Sequence, residues 1–289
     1  MTKLQVAILG TGNIGTDLLL KVMRSPSLQC RLFAGRNLFS PGMTKASHLD
    51  VPVSARGLES ILELKKDIAL VFDATSAEDH HRHAPLLEKA GIVAVDLTPS
   101  KIGPMCVPAV NLEQCLSAPN VNMVTCGGQA AIPLAKAIAE ANPGVQYIET
   151  VSSIAARSAG PATRINLDEY LETTEHGLSR FSGCTHTKAI LNLNPALPCV
   201  HMQTTVLAKI PKLDLERTRA SIQETVALIK TYVPGYQLLI EPVLESGRLV
   251  TMVKVDGLGD YLPKYAGNLD IINCAAIAFA EAYAARRAT

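Results

Sequence analysis

No charge of either sign is in surplus in this chain: 27 Lys and Arg stand against 26 Asp and Glu, a net charge of +1 over 289 residues. Nucleic acids and anionic membrane surfaces are recognised through a basic excess, and neither is an expected partner here. Long apolar runs are also missing, so no transmembrane helix is expected. The first residues lead directly into a strand-like segment, and no secretory signal peptide is expected. Seven cysteines occur (Cys30, Cys106, Cys115, Cys126, Cys184, Cys199 and Cys274), an odd number with no Cys-x-x-Cys pair. That argues against disulfide staples and a zinc site, and for a reducing cytoplasm. No pair of carboxylates has glycosidase or metal-site character, no metal site is expected, and there are no internal repeats or low-complexity tracts.

What is present is apolar material, 48% of residues, enough for one large domain or two smaller ones. The most informative stretch is Val6-Ala-Ile-Leu-Gly10-Thr11-Gly12-Asn13-Ile14-Gly15. An apolar strand runs into Gly-x-Gly-x-x-Gly, and a helix-patterned segment follows. This is the arrangement a dinucleotide pyrophosphate requires. Gly10 permits a tight turn, Gly12 lets main chain approach the phosphates, and Gly15 lets helix and strand pack closely. The helix N-terminus adds free N–H groups and a positive dipole.

The first 125 residues alternate between strand and helix patterns. Strands are expected over Leu4–Leu9, Gln29–Phe33, Ile68–Asp73, Val93–Asp96 and Asn122–Thr125. Helices are expected over Gly15–Met23, Leu58–Lys65 and Ala77–Ala90. That rhythm predicts an α/β domain with a doubly wound parallel sheet of Rossmann type, ligands binding at the strand C-termini. After about Ala141 long β-rich runs take over, Val145–Ser153 and Val200–Ile210. Leu238–Leu244 and Arg248–Val255 look like an antiparallel pair around Glu245-Ser-Gly247. Helical segments near Asp168–Phe181 and Asp214–Tyr232 interrupt them. This predicts a second, α+β domain rather than a continuation of the first sheet. An alanine-rich helix, Leu269–Arg286, ends the chain. The expected division is 1–127 with 269–289 as the dinucleotide-binding domain, and 128–268 as the catalytic and oligomerisation domain.

One cysteine stands apart. Asn122-Met-Val-Thr-Cys126-Gly127-Gly128-Gln129 places Cys126 between a strand end and a helix expected over Gln129–Glu140. N–H groups at a helix start favour a thiolate and lower the thiol pKa, and can hold a developing oxyanion. The glycines leave room for a substrate carbonyl. Cys126 is therefore the candidate nucleophile, and the other six read as core cysteines. His80, His81 and His83 do not have the i, i+4 spacing of a helical zinc pair and read as a solvated helix start. His186 and His201 are candidate bases for Cys126.

With these features in hand, the chain resembles the acylating acetaldehyde dehydrogenases of bacterial aromatic-degradation pathways. The resemblance rests on Gly10-Thr-Gly-Asn-Ile-Gly-Thr-Asp17, Asp96-Leu-Thr-Pro99 with Ile102-Gly-Pro104, and Val107-Pro-Ala-Val-Asn-Leu112. It continues through Met123-Val-Thr-Cys-Gly-Gly-Gln129, Ser158-Ala-Gly-Pro-Ala-Thr-Arg164 with Asn166, and Tyr265-Ala-Gly-Asn-Leu-Asp270. That family is similar in fold to glyceraldehyde-3-phosphate and aspartate-semialdehyde dehydrogenases. The resemblance implies a Rossmann domain, a catalytic domain and a last helix that returns to pack on the first domain. It implies oxidation of acetaldehyde or propanal with NAD or NADP and coenzyme A, through a thioester on Cys126. It implies cofactor contacts from Gly10, Thr11, Gly12, Asn13, Ile14 and Gly15. It implies further contacts from Ser158, Ala159, Gly160, Pro161, Ala162, Thr163, Arg164, Ile165 and Asn166, and from Asn268. It also implies a homo-oligomer and a 4-hydroxy-2-oxovalerate aldolase as partner.

Two departures from the family pattern carry consequences. After the second strand an NAD-preferring Rossmann domain places an acidic residue for the ribose hydroxyls, but here the segment reads Phe33-Ala-Gly35-Arg36-Asn37. Arg36 can stack on adenine or pair with a 2′-phosphate, which predicts that NADP is accepted. At Val200-His-Met-Gln-Thr204-Thr205, Thr204 occupies the place of a family aspartate linked to proton transfer. A threonine hydroxyl is no base near neutral pH, which leaves His201 as the candidate substitute. Two alternatives stay open. One is a semialdehyde or phosphorying-type dehydrogenase of this fold (phosphate in place of coenzyme A), with Arg157 and Arg164 as anion clamp; the other is a non-catalytic nucleotide-binding partner of an aldolase.

Overall fold

The computed structural model describes residues 3–160, 164 and 166–288. The chain forms two compact units: Met1–Met123 with Asp260–Leu262 and Asn273–Thr289, and Val124–Gly259 with Pro263–Ile272.

The first unit is built on a six-stranded sheet of β1 (Leu4–Leu9), β2 (Leu28–Ala34), β3 (Val53–Ser54), β4 (Leu70–Asp73), β5 (Val93–Asp96) and β6 (Asn120–Asn122), in the order β3-β2-β1-β4-β5-β6. Every pairing is parallel. Val6–Leu9 and Leu70–Phe72 are buried without alternation, as central strands covered on both faces must be. The order reverses between β1 and β4, so the switch point lies where β1 runs into the glycine loop and β4 into Asp73-Ala-Thr-Ser76. Crossover helices are α1 (Asn13–Arg24), α2 (Pro41–His48), α3 (Leu58–Glu63), α4 (Ala77–Lys89) and α5 (Pro108–Cys115).

α2, β3 and α5 have no counterpart in the sequence reading, since elements of two to eight residues carry too little periodicity. Local signals for α2 existed all the same. Ser40 caps it, accepting from Met43 N–H, and Pro41 stands at its start. The last strand also differs from expectation: β6 ends at Asn122, and Val124 takes a positive φ of 61°.

The second unit carries a five-stranded sheet of β7 (Tyr147–Ala155), β8 (Thr187–Asn194), β9 (Met202–Lys209), β10 (Tyr236–Glu245) and β11 (Arg248–Val255), ordered β10-β11-β9-β7-β8. β7 and β8 are parallel and the other pairs antiparallel. Ile148, Thr150, Ser152 and Ile154 of β7 are buried and alternate with half-buried residues, and β9 does the same from Met202 to Ala208. β8 escaped the sequence reading because Ala189 is its one buried residue. The helices are α6 (Cys126–Ala141), α7 (Leu167–Ser182) and α8 (Leu215–Lys230).

The last helix, α9 (Gly267–Ala288), starts two residues before the expected Leu269 and places Asn268 in its first turn. Its portion from Asn273 onward belongs to the first unit. There Asn273 Nδ2 donates to Asp17 Oδ2 at 2.9 Å, and Glu281 accepts from Ser25 Oγ at 2.6 Å. None of the seven cysteines forms a disulfide. No helix among the described residues is long and apolar enough to cross a membrane.

Candidate active site

Cys126 is the first residue of α6, three residues earlier than the helix start read from sequence. Thr125 caps that helix, its Oγ1 accepting from Gly128 N–H at 2.9 Å. The side chain of Cys126 is half-buried. Its Sγ lies 3.5 Å from the hydroxyl of Tyr170 on α7, and the same hydroxyl accepts from Gly127 N–H at 2.9 Å. The thiol does not have the lowered pKa expected of a helix N-terminus. Burial pushes it above its ordinary value, and the hydrogen bonds from Tyr170 and Gly127 only partly offset that.

The two glycines are required by packing. A Cβ on Gly127 would lie 2.3 Å from the Tyr170 hydroxyl and 3.0 Å from Ser152 Oγ, and one on Gly128 2.9 Å from Val124 Cγ1. Ser152 in turn lies 2.9 Å from Thr204 Oγ1. Thr204 is thus a buried hydroxyl paired with another hydroxyl.

Neither candidate histidine is a hydrogen-bond partner of Cys126. His201 pairs through Nδ1 with Asp256, and His186 is exposed and bonded to Thr185 at 3.1 Å. Tyr170 is the functional neighbour that sequence reasoning missed. The histidine cluster at α4 also differs from expectation. His81 is exposed, but His80 is fully buried, with Nδ1 2.8 Å from Asp73 Oδ2 and Nε2 3.1 Å from Asn120 Oδ1. His83 reaches the same Asp73 oxygen at 2.8 Å. These are buried polar partners, not a solvated helix start.

In the first unit the glycine loop has the geometry a dinucleotide needs. Gly10 has φ +107°, and a Cβ there would lie 2.5 Å from Ala74 O. A Cβ on Gly15 would lie 1.9 Å from Gly10 O. Gly12 is different: an added Cβ would meet nothing within 4 Å. It occupies the N-cap of α1, which has no side-chain cap, so the N–H groups of Asn13, Ile14 and Gly15 have no intrahelical acceptor. Thr11 Oγ1 lies 3.2 Å from Ser40 Oγ at the start of α2. Arg36, just past β2, is exposed.

In the second unit Ser158 is buried and donates to Ala155 O at 2.9 Å, while Ala159 is buried and Gly160 half-buried. Asn268 donates through Nδ2 to Ser158 O at 3.4 Å, and its buried Oδ1 has no partner among the described residues. An orphaned buried acceptor suits an amide N–H of a ligand such as the nicotinamide carboxamide. Arg164 donates to Ala159 O at 3.1 Å and Ala156 O at 2.8 Å, stapling the turn it follows. Asn166 precedes α7 at its N-cap. Pro161, Ala162, Thr163 and Ile165 lie outside the described residues.

The parallel switch-point sheet, the mixed second sheet and the returning helix define the class of fold: that of the glyceraldehyde-3-phosphate dehydrogenase-like proteins. Aspartate semialdehyde dehydrogenase II from Vibrio cholerae, solved in complex with ASA, is similar at a TM-score of 0.67 over 97% of this chain and 98% of that one. At 14% identity the likeness is one of fold alone. Residues 126–263 match the family model described as prokaryotic acetaldehyde dehydrogenase, dimerisation. An acetaldehyde dehydrogenase of Spirochaeta aurantia is 57% identical over 281 residues, 97% of this chain and 95% of that protein. One of Pectobacterium atrosepticum is 55% identical over 281 residues, covering 96% and 95%. The chain belongs to the acetaldehyde dehydrogenase family, as its motifs implied.

Proposed function

We propose that the chain oxidises acetaldehyde, or propanal, to the acyl-CoA, with NAD or NADP as oxidant and coenzyme A as acyl acceptor. The observation that carries this reading is Cys126 itself: a half-buried thiol on the first turn of α6, flanked by two glycines, with a hydroxyl 3.5 Å away.

Cys126 Sγ, once ionised, adds to the aldehyde carbon and forms a carbon–sulfur bond, giving a hemithioacetal. A bound nicotinamide supplies the acceptor for the hydride on that carbon. Cys126 then carries the acyl group as a thioester. The thiol of coenzyme A adds to the thioester carbonyl, Cys126 leaves, and the acyl-CoA departs. Sulfur suits both duties, nucleophile first and leaving group second. Gly10 to Gly15, Arg36, the Ser158–Asn166 segment and Asn268 are the proposed cofactor contacts, with the uncapped start of α1 facing phosphate and Asn268 Oδ1 accepting from the carboxamide. Discrimination among short aldehydes is expected to be modest, about 10–200-fold per methylene.

The phosphorylating or semialdehyde reading needs an arginine clamp on an anion. Arg164 fits that role poorly, since it already donates to the carbonyls of Ala156 and Ala159. The family match over residues 126–263, described as dimerisation, supports self-association. An aldolase that delivers the aldehyde is the proposed hetero-partner.

The deciding assay follows reduced cofactor from acetaldehyde with coenzyme A, with phosphate, or with neither. Turnover only with coenzyme A is expected. Intact mass after aldehyde and cofactor alone is expected to show an acetyl adduct that Cys126→Ser lacks. Turnover with phosphate, or an adduct that persists in the serine variant, removes the proposal.

A further inference from the structure

A hydroxyl has one hydrogen, and at Tyr170 its direction is set by the neighbours. The oxygen accepts from Gly127 N–H at 2.9 Å. The side chain is buried, and its hydroxyl also faces Cys126 Sγ at 3.5 Å and the side chain of Thr125, which already receives Gly128 N–H at 2.9 Å. With its lone pair engaged by Gly127, the hydroxyl faces the sulfur with its hydrogen.

A second contact holds this geometry. Thr174, one turn further along the same face of α7, donates through Oγ1 to Tyr170 O at 2.7 Å. Its oxygen is therefore the acceptor for Thr125 Oγ1, also at 2.7 Å, while Thr125 receives Gly128 N–H. The first turn of α6 and the Tyr170–Thr174 turn of α7 are thus tied at two points on either side of Cys126.

We propose that Tyr170 is the hydrogen-bond donor that stabilises the ionised sulfur of Cys126, and that position 127 is glycine because the tyrosine hydroxyl fills the volume a side chain would take. This rests on Cys126 being the nucleophile. The Gly127 N–H is shared between the tyrosine oxygen and the sulfur. Through the phenol its polarity reaches Sγ a second way, and donors in series strengthen one another. The phenol itself is no proton acceptor at neutral pH, because burial, then the charge of the nearby sulfur, raises its pKa well above the ordinary range. Its role is to donate.

The test is alkylation of Cys126 by iodoacetamide, resolved by peptide mass spectrometry and followed through the alkaline range, with no cofactor or coenzyme A. A hydrogen bond to a charged group predicts that Tyr170→Phe raises the midpoint of the pH profile by about one unit. The rate below the midpoint then falls about tenfold and converges with wild type at high pH. Gly127→Ala, which displaces the hydroxyl, moves the midpoint the same way, and the double variant goes no further than either single one. An unchanged midpoint, or a loss equal at every pH, overturns the proposal. If the shift appears in a protein that forms no acyl-CoA, the role of Tyr170 stands and the proposed reaction falls.

Discussion

The Nδ1 of His80 lies 2.8 Å from Oδ2 of Asp73, both side chains fully buried at the end of β4. The other ring nitrogen faces an acceptor too. Asn120 donates through Nδ2 to Ile102 O at 2.8 Å, which turns its Oδ1 towards His80 Nε2. Both ring nitrogens thus face acceptors, an arrangement that favours the imidazolium form of His80. Asp96 Oδ2 stands 3.7 Å from Nε2.

This cluster predicts a pH-dependent stability. Burial opposes the His80 charge, but the Asp73 hydrogen bond and the charges of Asp96 and Asp73 outweigh it, so its pKa is raised above 6.5. Its contribution is complete below 6.5 and is lost as pH rises through the folded value. Burial raises Asp96 from 3.8 to about 6, against the charge of His80, and that contribution also fades with rising pH. Burial would raise Asp73, but hydrogen bonds from His80, His83 and Thr75 bring it well below 3.8. Its contribution is lost only in acid. Urea unfolding is expected to show greater stability near pH 5 than near pH 8. His80→Gln is expected to lose about 3 kcal/mol at the acid side and to flatten the profile. A wild-type curve as flat as the variant's contradicts the assignment.

Gly10 and Gly12 are expected to fail in different ways. Gly10→Ala combines a left-handed φ with a Cβ 2.5 Å from Ala74 O, and a loss of about 1–3 kcal/mol in stability is expected. Gly12→Ala meets open space at φ −78°. Its melting temperature should match wild type while the KM for nicotinamide cofactor rises about tenfold, or ~1.4 kcal/mol. Equal effects of Gly12→Ala on melting and on KM would show that the loop does not face the cofactor.

Arg36 is exposed where Rossmann domains read the adenosine ribose. Arg36→Gln is expected to lower kcat/KM with NADP about tenfold while changing NAD by less than about twofold. If the variant loses both cofactors equally, or wild type does not use NADP, Arg36 has no part in selecting the phosphate.

His201 is engaged by Asp256, whose own pKa is lowered against burial by hydrogen bonds from Lys254 and His201. It is not bonded to Cys126. His201→Gln is expected to keep kcat within about twofold, whereas Cys126→Ser loses roughly 10⁴-fold or more. A large, pH-dependent loss in His201→Gln would restore the histidine as the base.

The legible parts of this protein were those in which neighbours along the chain make the structure. Gly10-x-Gly12-x-x-Gly15 is a turn whose steric demands lie within ten residues, and the central strands carry unbroken apolar runs. The place of Cys126 before two glycines and a helix was likewise local, although the helix starts three residues earlier than read. What was misread had its partners far away. Tyr170 is 44 residues from Cys126, and nothing near it in sequence marks it. His80 sits among polar neighbours in sequence, and it is buried because Asn120, 40 residues on, closes over it.

Local sequence therefore determined most of the strands and helices, where the glycine loop turns and which cysteine stands at a helix start, because sterics and periodicity act over a few residues. Only the tertiary structure decided the electrostatic state of those groups. Burial raised the Cys126 thiol where the helix terminus alone would have lowered it, and enclosure between acceptors shifted His80 towards its charged form. The charge of a side chain is set by what surrounds it in space, and those surroundings are assembled from residues that the chain brings together only on folding.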